Sequence, residues 1–313
     1  MAGDSDIPKH FQDWNTSEAP KMMPSRRTTN SKPFYKRPLG IAIIAGVTIA
    51  ILIAIIVPLA VILPKRGRKH DATVILPLYI YPDETSTWNP LYDSLKANPQ
   101  LQFLVIVNPA SGPGSSQYPD EKYQVEIEKL NGYPNVETVG YVRTGYASRN
   151  LTDVLTEVST YAGWLSKSNL TAMHGIFFDE SPHQYSAEAV DFMLQATKAV
   201  KESGLLGKKT VIRNPGVIPD SRFNDTNTDI SVVFEQSLEE YKTKEQALAE
   251  LPSHRSQYSY MVHSVPLEDK STMRKFVDEL SKKAQYLFVT SNAEQYYESF
   301  GSDWAQFTEV VPR

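Results

Sequence analysis

The chain contains no cysteine. That excludes disulfides, thiolate nucleophiles and cysteine-ligated metals, although it leaves a secretory location open. Its six histidines show no HxH or HxxxH spacing, so no metal site is predicted. No Gly-x-Ser-x-Gly elbow marks a serine nucleophile. The Gly-rich segment Asn108-Pro-Ala-Ser-Gly-Pro-Gly114 has no Lys-Ser/Thr after it, which argues against a nucleotide phosphate loop. No cofactor is implied.

Charge is unevenly spread. Residues 1–71 carry 11 Lys/Arg and 5 Asp/Glu, whereas residues 72–313 carry 21 and 31. An acidic globular part of this kind is a poor nucleic-acid binder and suits a neutral or cationic substrate.

What the chain does have is one long apolar run. Residues 39–63 hold no charge, and about 20 such residues cross a bilayer. A cleaved signal peptide would have a shorter apolar core nearer the amino terminus. The run therefore predicts a retained transmembrane helix at 39–63. Residues 1–38 are polar and Pro/Ser/Thr-rich and predict a disordered cytoplasmic tail. Residues 64–71 predict a short basic stalk. Asn150, Asn169 and Asn224 stand in acceptor sequons on the far side of the run, against Asn15 on the near side. The pattern predicts a single-pass type II membrane protein. Its catalytic part would be lumenal or extracellular, at the plasma membrane or in the secretory pathway.

From residue 72 onward, short apolar runs alternate with amphipathic stretches. Strands are predicted at 74–81, 103–107, 136–142, 175–178, 210–214, 231–234, 258–262 and 286–290. Helices are predicted at 151–166, 186–202, 238–251 and 271–283, with 304–311 as a closing helix. Eight strands in about 240 residues predict a (β/α)8 barrel of α/β class.

Gly175-Ile-Phe-Phe-Asp-Glu-Ser-Pro182 is the stretch that points to chemistry. An apolar strand stops on two acids, and the carboxyl ends of barrel strands carry catalytic groups. Ser231-Val-Val-Phe-Glu235 repeats the pattern. Acids from two strand ends are what glycoside hydrolysis needs. Successive strand side chains alternate faces, so only one of Asp179 and Glu180 points into the mouth of a regular strand. Reference acidities favour Asp179 as nucleophile and Glu235 as acid/base, with Glu180 as an auxiliary. Tyr79, Tyr81, Asn108, Tyr141, Arg143, Asn214, His263 and Asn292 fall at or after strand ends. They are candidates for a polar, aromatic substrate cup. A carbohydrate-binding or cell-wall protein without activity on the same barrel is the alternative. A deacetylase would want a ligand cluster that the sequence lacks.

Residues 74–311 resemble the spherulin 4-like proteins of fungi and slime moulds. The resemblance rests on Leu-Pro-Leu-Tyr-Ile-Tyr-Pro at the first strand and Val-Asn-Pro-Ala-Ser-Gly-Pro-Gly after the second. Gly-Tyr-Val-Arg-Thr-Gly-Tyr at the third and Gly-Ile-Phe-Phe-Asp-Glu at the fourth complete it. With a single amino-terminal anchor, it is the membrane-anchored fungal branch that the chain resembles. That resemblance implies an endo-α-1,4-N-acetylgalactosaminidase of galactosaminogalactan biosynthesis, with Asp179, Glu180 and Glu235 at the site. The implied partners are the polysaccharide itself and other exopolysaccharide-synthesis proteins.

Overall fold

The computed structural model describes residues 70–313 apart from 267 and 268, together with the isolated positions 33, 36, 38 and 42. Apart from those four positions, the predicted tail and transmembrane segment, and most of the stalk, lie outside the described residues. Among the described residues no helix is long and apolar enough to cross a membrane. The chain divides between Arg66 and Gly67, and the strands and helices named below belong to the second unit.

Eight parallel strands close into a barrel in chain order. They are β1 Thr73–Leu78, β2 Gln102–Val107, β3 Val136–Arg143, β4 Gly175–Asp179, β5 Thr210–Arg213, β6 Ile230–Ser237, β7 Tyr258–His263 and β8 Tyr286–Val289. Each is a run of β-branched and aromatic residues, buried because core fills the inside and helices cover the outside. Closure comes from β1 pairing with β8, Thr73 opposite Tyr286 and Val74 opposite Leu287.

The helices are α1 Asn89–Ala97, α2 Glu121–Asn131, α3 Leu151–Gly163, α4 Ala187–Glu202, α5 Leu238–Ala249, α6 Lys270–Lys283 and α7 Trp304–Val310. Most begin on a side chain that accepts a free backbone N–H of the first turn: Asp120, Asn150, Ser186, Ser237 and Asp269.

One unit of the predicted alternation departs from the pattern. Among the described residues the β5–β6 connection has no α-helix, only the single 3₁₀ turn Ser221–Phe223. Asn214-Pro215-Gly216, Pro219 and Asn224-Asp225-Thr226-Asn227 fill it with turn formers and no helical stripe. Phe223 replaces the missing helix locally. It is buried against β5, where the Arg213 guanidinium lies 5.0 Å from its ring. Arg213 Nη1 also donates to the Phe223 carbonyl at 2.5 Å.

A second departure sits in β6. Its pairing with β7 slips between Val232 and Phe234. Val232 opposes Ser259, but Phe234 opposes Tyr260 and Glu235 opposes Met261. The extra residue, Val233, is a β-bulge, and it reverses the facing of everything after it. Phe234 turns outward onto Tyr241 of α5, ring centroids 5.4 Å apart. Glu235 turns inward.

Candidate active site

The carboxyl ends of β3, β4, β5 and β6 meet around one amide. Asn214, just past β5, donates from Nδ2 to Asp179 Oδ1 at 2.8 Å and to Glu235 Oε2 at 2.6 Å. A single side-chain nitrogen therefore joins the two strand-end acids. Its orientation is fixed from the other side, because Asn214 Oδ1 accepts the Gly216 N–H at 3.0 Å. That bond needs a tight left-handed turn, which Gly216 supplies at φ +67°. The Gly216 carbonyl in turn accepts the Glu235 N–H at 3.0 Å. One turn thus sets both the amide and the acid.

Asp179 takes its second hydrogen bond from the Tyr141 hydroxyl, at 2.8 Å to Oδ2. Glu235 takes its second from the Tyr297 hydroxyl. Tyr79 packs edge-on against both tyrosines, 5.4 Å from each ring. Enclosure by these rings desolvates Glu235, and the Asp179 charge adds repulsion. Together they push Glu235 up to about 7, against the opposing pull of the Tyr297 and Asn214 hydrogen bonds. Burial likewise raises the hydroxyls of Tyr79, Tyr141 and Tyr297, with Asp179 or Glu235 adding to the effect.

Glu180 ends the strand abruptly. It holds a left-handed φ of +50°, uncommon for a residue with a side chain. The conformation is locked by its neighbours. The Glu180 carbonyl accepts the Thr144 hydroxyl at 2.7 Å and the Tyr146 N–H at 2.6 Å. The next residue, Ser181, donates its N–H to the Asn214 carbonyl at 2.9 Å. Asp179 is left facing the mouth while the Glu180 side chain lies at the rim, 3.8 Å from Arg143. On the opposite rim His263 stacks flat on Tyr296, with centroids 4.2 Å apart and planes 5° off parallel. Burial lowers the His263 pKa.

A partly enclosed acid near neutrality beside a second carboxylate, in a cup of tyrosines, can run proton transfer and nucleophilic chemistry together. Among the described residues no group of three or more His, Asp or Glu side chains is placed to hold a metal ion.

Residues 73–311 match the model of Spherulin4, the spherulation-specific family 4. The chain belongs to that family. Spherulin-4 of Physarum polycephalum is 31% identical over 180 residues, which are 58% of this chain and 49% of that protein. The match thus spans about half the length of that relative. The crystal structure of Aspergillus clavatus Sph3 in complex with GalNAc superposes with a TM-score of 0.73 at 38% identity. It covers 77% of this chain and 97% of that one.

Within this spherulin 4 barrel the predicted cup residues separate into two groups. Tyr79, Tyr141, Arg143 and Asn214 gather with the three acids, and His263 stands on the opposite rim against Tyr296. The side chains of Tyr81, Asn108 and Asn292 are engaged elsewhere. Tyr81 leans on Tyr123 of α2 and on the Lys122 ammonium. Asn108 Oδ1 accepts the Gly112 N–H at 3.0 Å and so closes its own loop. Asn292 Nδ2 donates to Ser299 at 3.1 Å. Three contributors go beyond the residues that the sequence singles out: Tyr296 and Tyr297 in the loop after β8, and Thr144 after β3. Their sequence signals are a paired tyrosine in an irregular stretch and a threonine between Arg143 and Gly145.

Proposed function

We propose that this chain is a glycoside hydrolase that cuts α-1,4-linked N-acetylgalactosamine within galactosaminogalactan, with Asp179 and Glu235 as its working carboxylates. The observation that carries this reading is the shared Asn214 nitrogen, which holds both acids at the barrel mouth with Glu235 near neutrality. Glu235 donates a proton to the leaving glycosidic oxygen, and Asp179 attacks the anomeric carbon. Glu235, now ionised, then takes a proton from the water that releases the glycosyl group. In an α-linked N-acetylgalactosamine the acetamido group is not opposite the leaving oxygen, so it is poorly placed to act as internal nucleophile. The enzyme must supply its own. Glu180, paired with Arg143 at the rim, assists by holding substrate or tuning Asp179. The sugar specificity is supported by the GalNAc complex of Aspergillus clavatus Sph3, alike over nearly all of its length.

Purified polymer separates the possible classes. The barrel incubated with α-1,4-N-acetylgalactosamine polymer is expected to release oligosaccharides, seen by mass spectrometry. Binding without release would make it a carbohydrate-binding protein, and release of acetate a deacetylase. Either outcome overturns the reading.

We also propose that residues 39–63 anchor the barrel as a type II membrane protein. The sequon asparagines Asn150, Asn169 and Asn224 are all exposed on the barrel surface, so an oligosaccharyltransferase could reach them. Deglycosylation of the protein from a eukaryotic host should lower its apparent mass. Unmodified Asn150, Asn169 and Asn224 beside a glycosylated Asn15 would reverse the orientation. A truncation beginning at Asp71 should stay soluble, because the barrel closes on itself from Ala72, whose N–H donates to the Pro312 carbonyl at 2.9 Å.

A further inference from the structure

Tyr146 is out of keeping with the rest of the fold. It is 59% exposed, more than any other large hydrophobic residue described. Among the described residues no ring or cation packs on its face, in contrast to Tyr185 in the β4–α4 loop, which is covered by Arg222 at 3.4 Å. Yet its position is tightly held. Gly145, Tyr146 and Ala147 run consecutively through the left-handed region at φ +59°, +54° and +66°, and the Tyr146 N–H is bound to the Glu180 carbonyl. A loop that maintains a bare aromatic ring in strained backbone beside the acids is spending stability on that placement. The hydroxyl senses the site directly: partial burial, then the charges of Glu180, Asp179 and Glu235, raise its pKa.

The ring lines a cavity of about 440 Å³ with Pro182, His183, Gln184, Ser186 and Ala189. Most of these residues follow closely on Asp179-Glu180-Ser181, so the cavity lies along the start of the β4–α4 loop, next to the acids. The exposed Gln184 amide gives the lining a polar group. An open aromatic face beside a polar amide suits a pyranose. The axial 4-oxygen of a galacto-configured sugar leaves a C–H patch on one ring face that can lie on an aromatic ring. The hydroxyl and acetamido groups at the sugar's edge can meet a polar wall.

We infer that Tyr146 and the cavity it lines form a subsite for a further N-acetylgalactosamine unit of the same chain, one that is not at the bond being cut. This rests on the hydrolase reading and adds a reason for acting on polymer: sugars beyond the scissile bond contribute binding that short substrates lack.

The test compares α-1,4-linked N-acetylgalactosamine oligosaccharides of increasing length on the wild type and on Tyr146 variants. Wild-type kcat/KM should rise with length. Tyr146→Ala should lose about five- to tenfold on long chains, the range of one aromatic contact, mainly through KM, and far less on the shortest cleavable substrate. Tyr146→Phe keeps the ring and should keep the length dependence. Tyr146→Asn, whose side chain tolerates left-handed backbone, should behave as Tyr146→Ala, which guards against an effect of loop collapse. An active wild type with length dependence unchanged in Tyr146→Ala and Tyr146→Asn overturns the subsite alone. A wild type that neither cleaves nor binds any of these oligosaccharides overturns the subsite and the hydrolase reading together.

Discussion

Asp179→Asn and Glu235→Gln should each lower turnover by at least about a hundredfold, the lower end of what a positioned acid–base group contributes. Both variants should fold. In Glu235→Gln the new amide oxygen can accept Asn214 Nδ2, while its NH₂ faces a Tyr297 hydroxyl that can rotate to accept. In Asp179→Asn the oxygen again faces Asn214, and the Tyr141 hydroxyl can turn to accept the NH₂. The network keeps its shape in each case and loses only the charge of Asp179 or the transferable proton of Glu235, so the loss is chemical. Near-normal turnover in either variant, with an unchanged circular dichroism spectrum, sinks the role assigned to that residue.

The same substitutions should leave two marks that damage to the fold would not. Wild-type hydrolysis needs protonated Glu235, so it should fall as pH rises through about 7. Removing the Asp179 charge removes one of the two causes of that elevation, so in Asp179→Asn the Glu235 titration should move to lower pH, read by NMR of the carboxyl carbon. Stability carries the other mark. The folded pKa of Glu235 is raised from 4.5 to about 7. The favourable contribution of its protonated form is therefore complete below about 4.5 and is lost as pH climbs through about 7. Above that, the enclosed charge costs up to about 3 kcal/mol at 1.36 kcal/mol per unit. The opening of the mouth to solvent reduces this figure. Glu235→Gln does not carry that cost. Its melting temperature relative to wild type should therefore be higher at pH 8 than at pH 5. A difference that is the same at both pH values would mean that Glu235 is not held at a cost.

The barrel is legible in the sequence because its strands are buried on both sides. Doubly buried strands read as short unbroken apolar runs, and each predicted run overlaps its strand within a few residues. Asp179 is legible for the same reason, since the run Ile176-Phe177-Phe178 stops on it. Glu235 is legible as an acid after an apolar run, but its facing is not. By simple alternation from Val232, Glu235 would point out to α5. The bulge at Val233 turns it in, and nothing in Ser-Val-Val-Phe-Glu announces a bulge, because it depends on how β6 meets β7. The rim residues fail differently. Strand-end position does not decide whether a side chain turns inward, and the turn that follows does. Asn108 is captured by its own Gly112, whereas Asn214 is turned to the acids by Gly216. Tyr297 reaches Glu235 from 62 residues away through an irregular loop, where no periodicity marks a partner.

The anomeric configuration of the first product should be α, retained from the substrate. Retention requires a nucleophile close to the acid, with carboxyl groups about 5–5.5 Å apart, whereas inversion needs about 6.5–9.5 Å to seat a water. Asp179 Oδ1 and Glu235 Oε2 both accept from Asn214 Nδ2, at 2.8 and 2.6 Å. Those two oxygens therefore lie at most about 5.4 Å apart, the sum of the two bonds, which falls short of the inverting range and supports the retaining arrangement. The amide also fills the space between them, where an inverting enzyme would place its attacking water. Proton NMR in the first minutes of turnover, before mutarotation, distinguishes the two outcomes. A retaining route also passes through a covalent glycosyl–Asp179 ester, which a slow fluorinated substrate should trap and a peptide map should locate. An initial β product would reassign Asp179 as the general base for a water. The Asn214 amide would then have to swing aside when substrate binds, and substituting Asn214 would speed rather than slow the entry of that water.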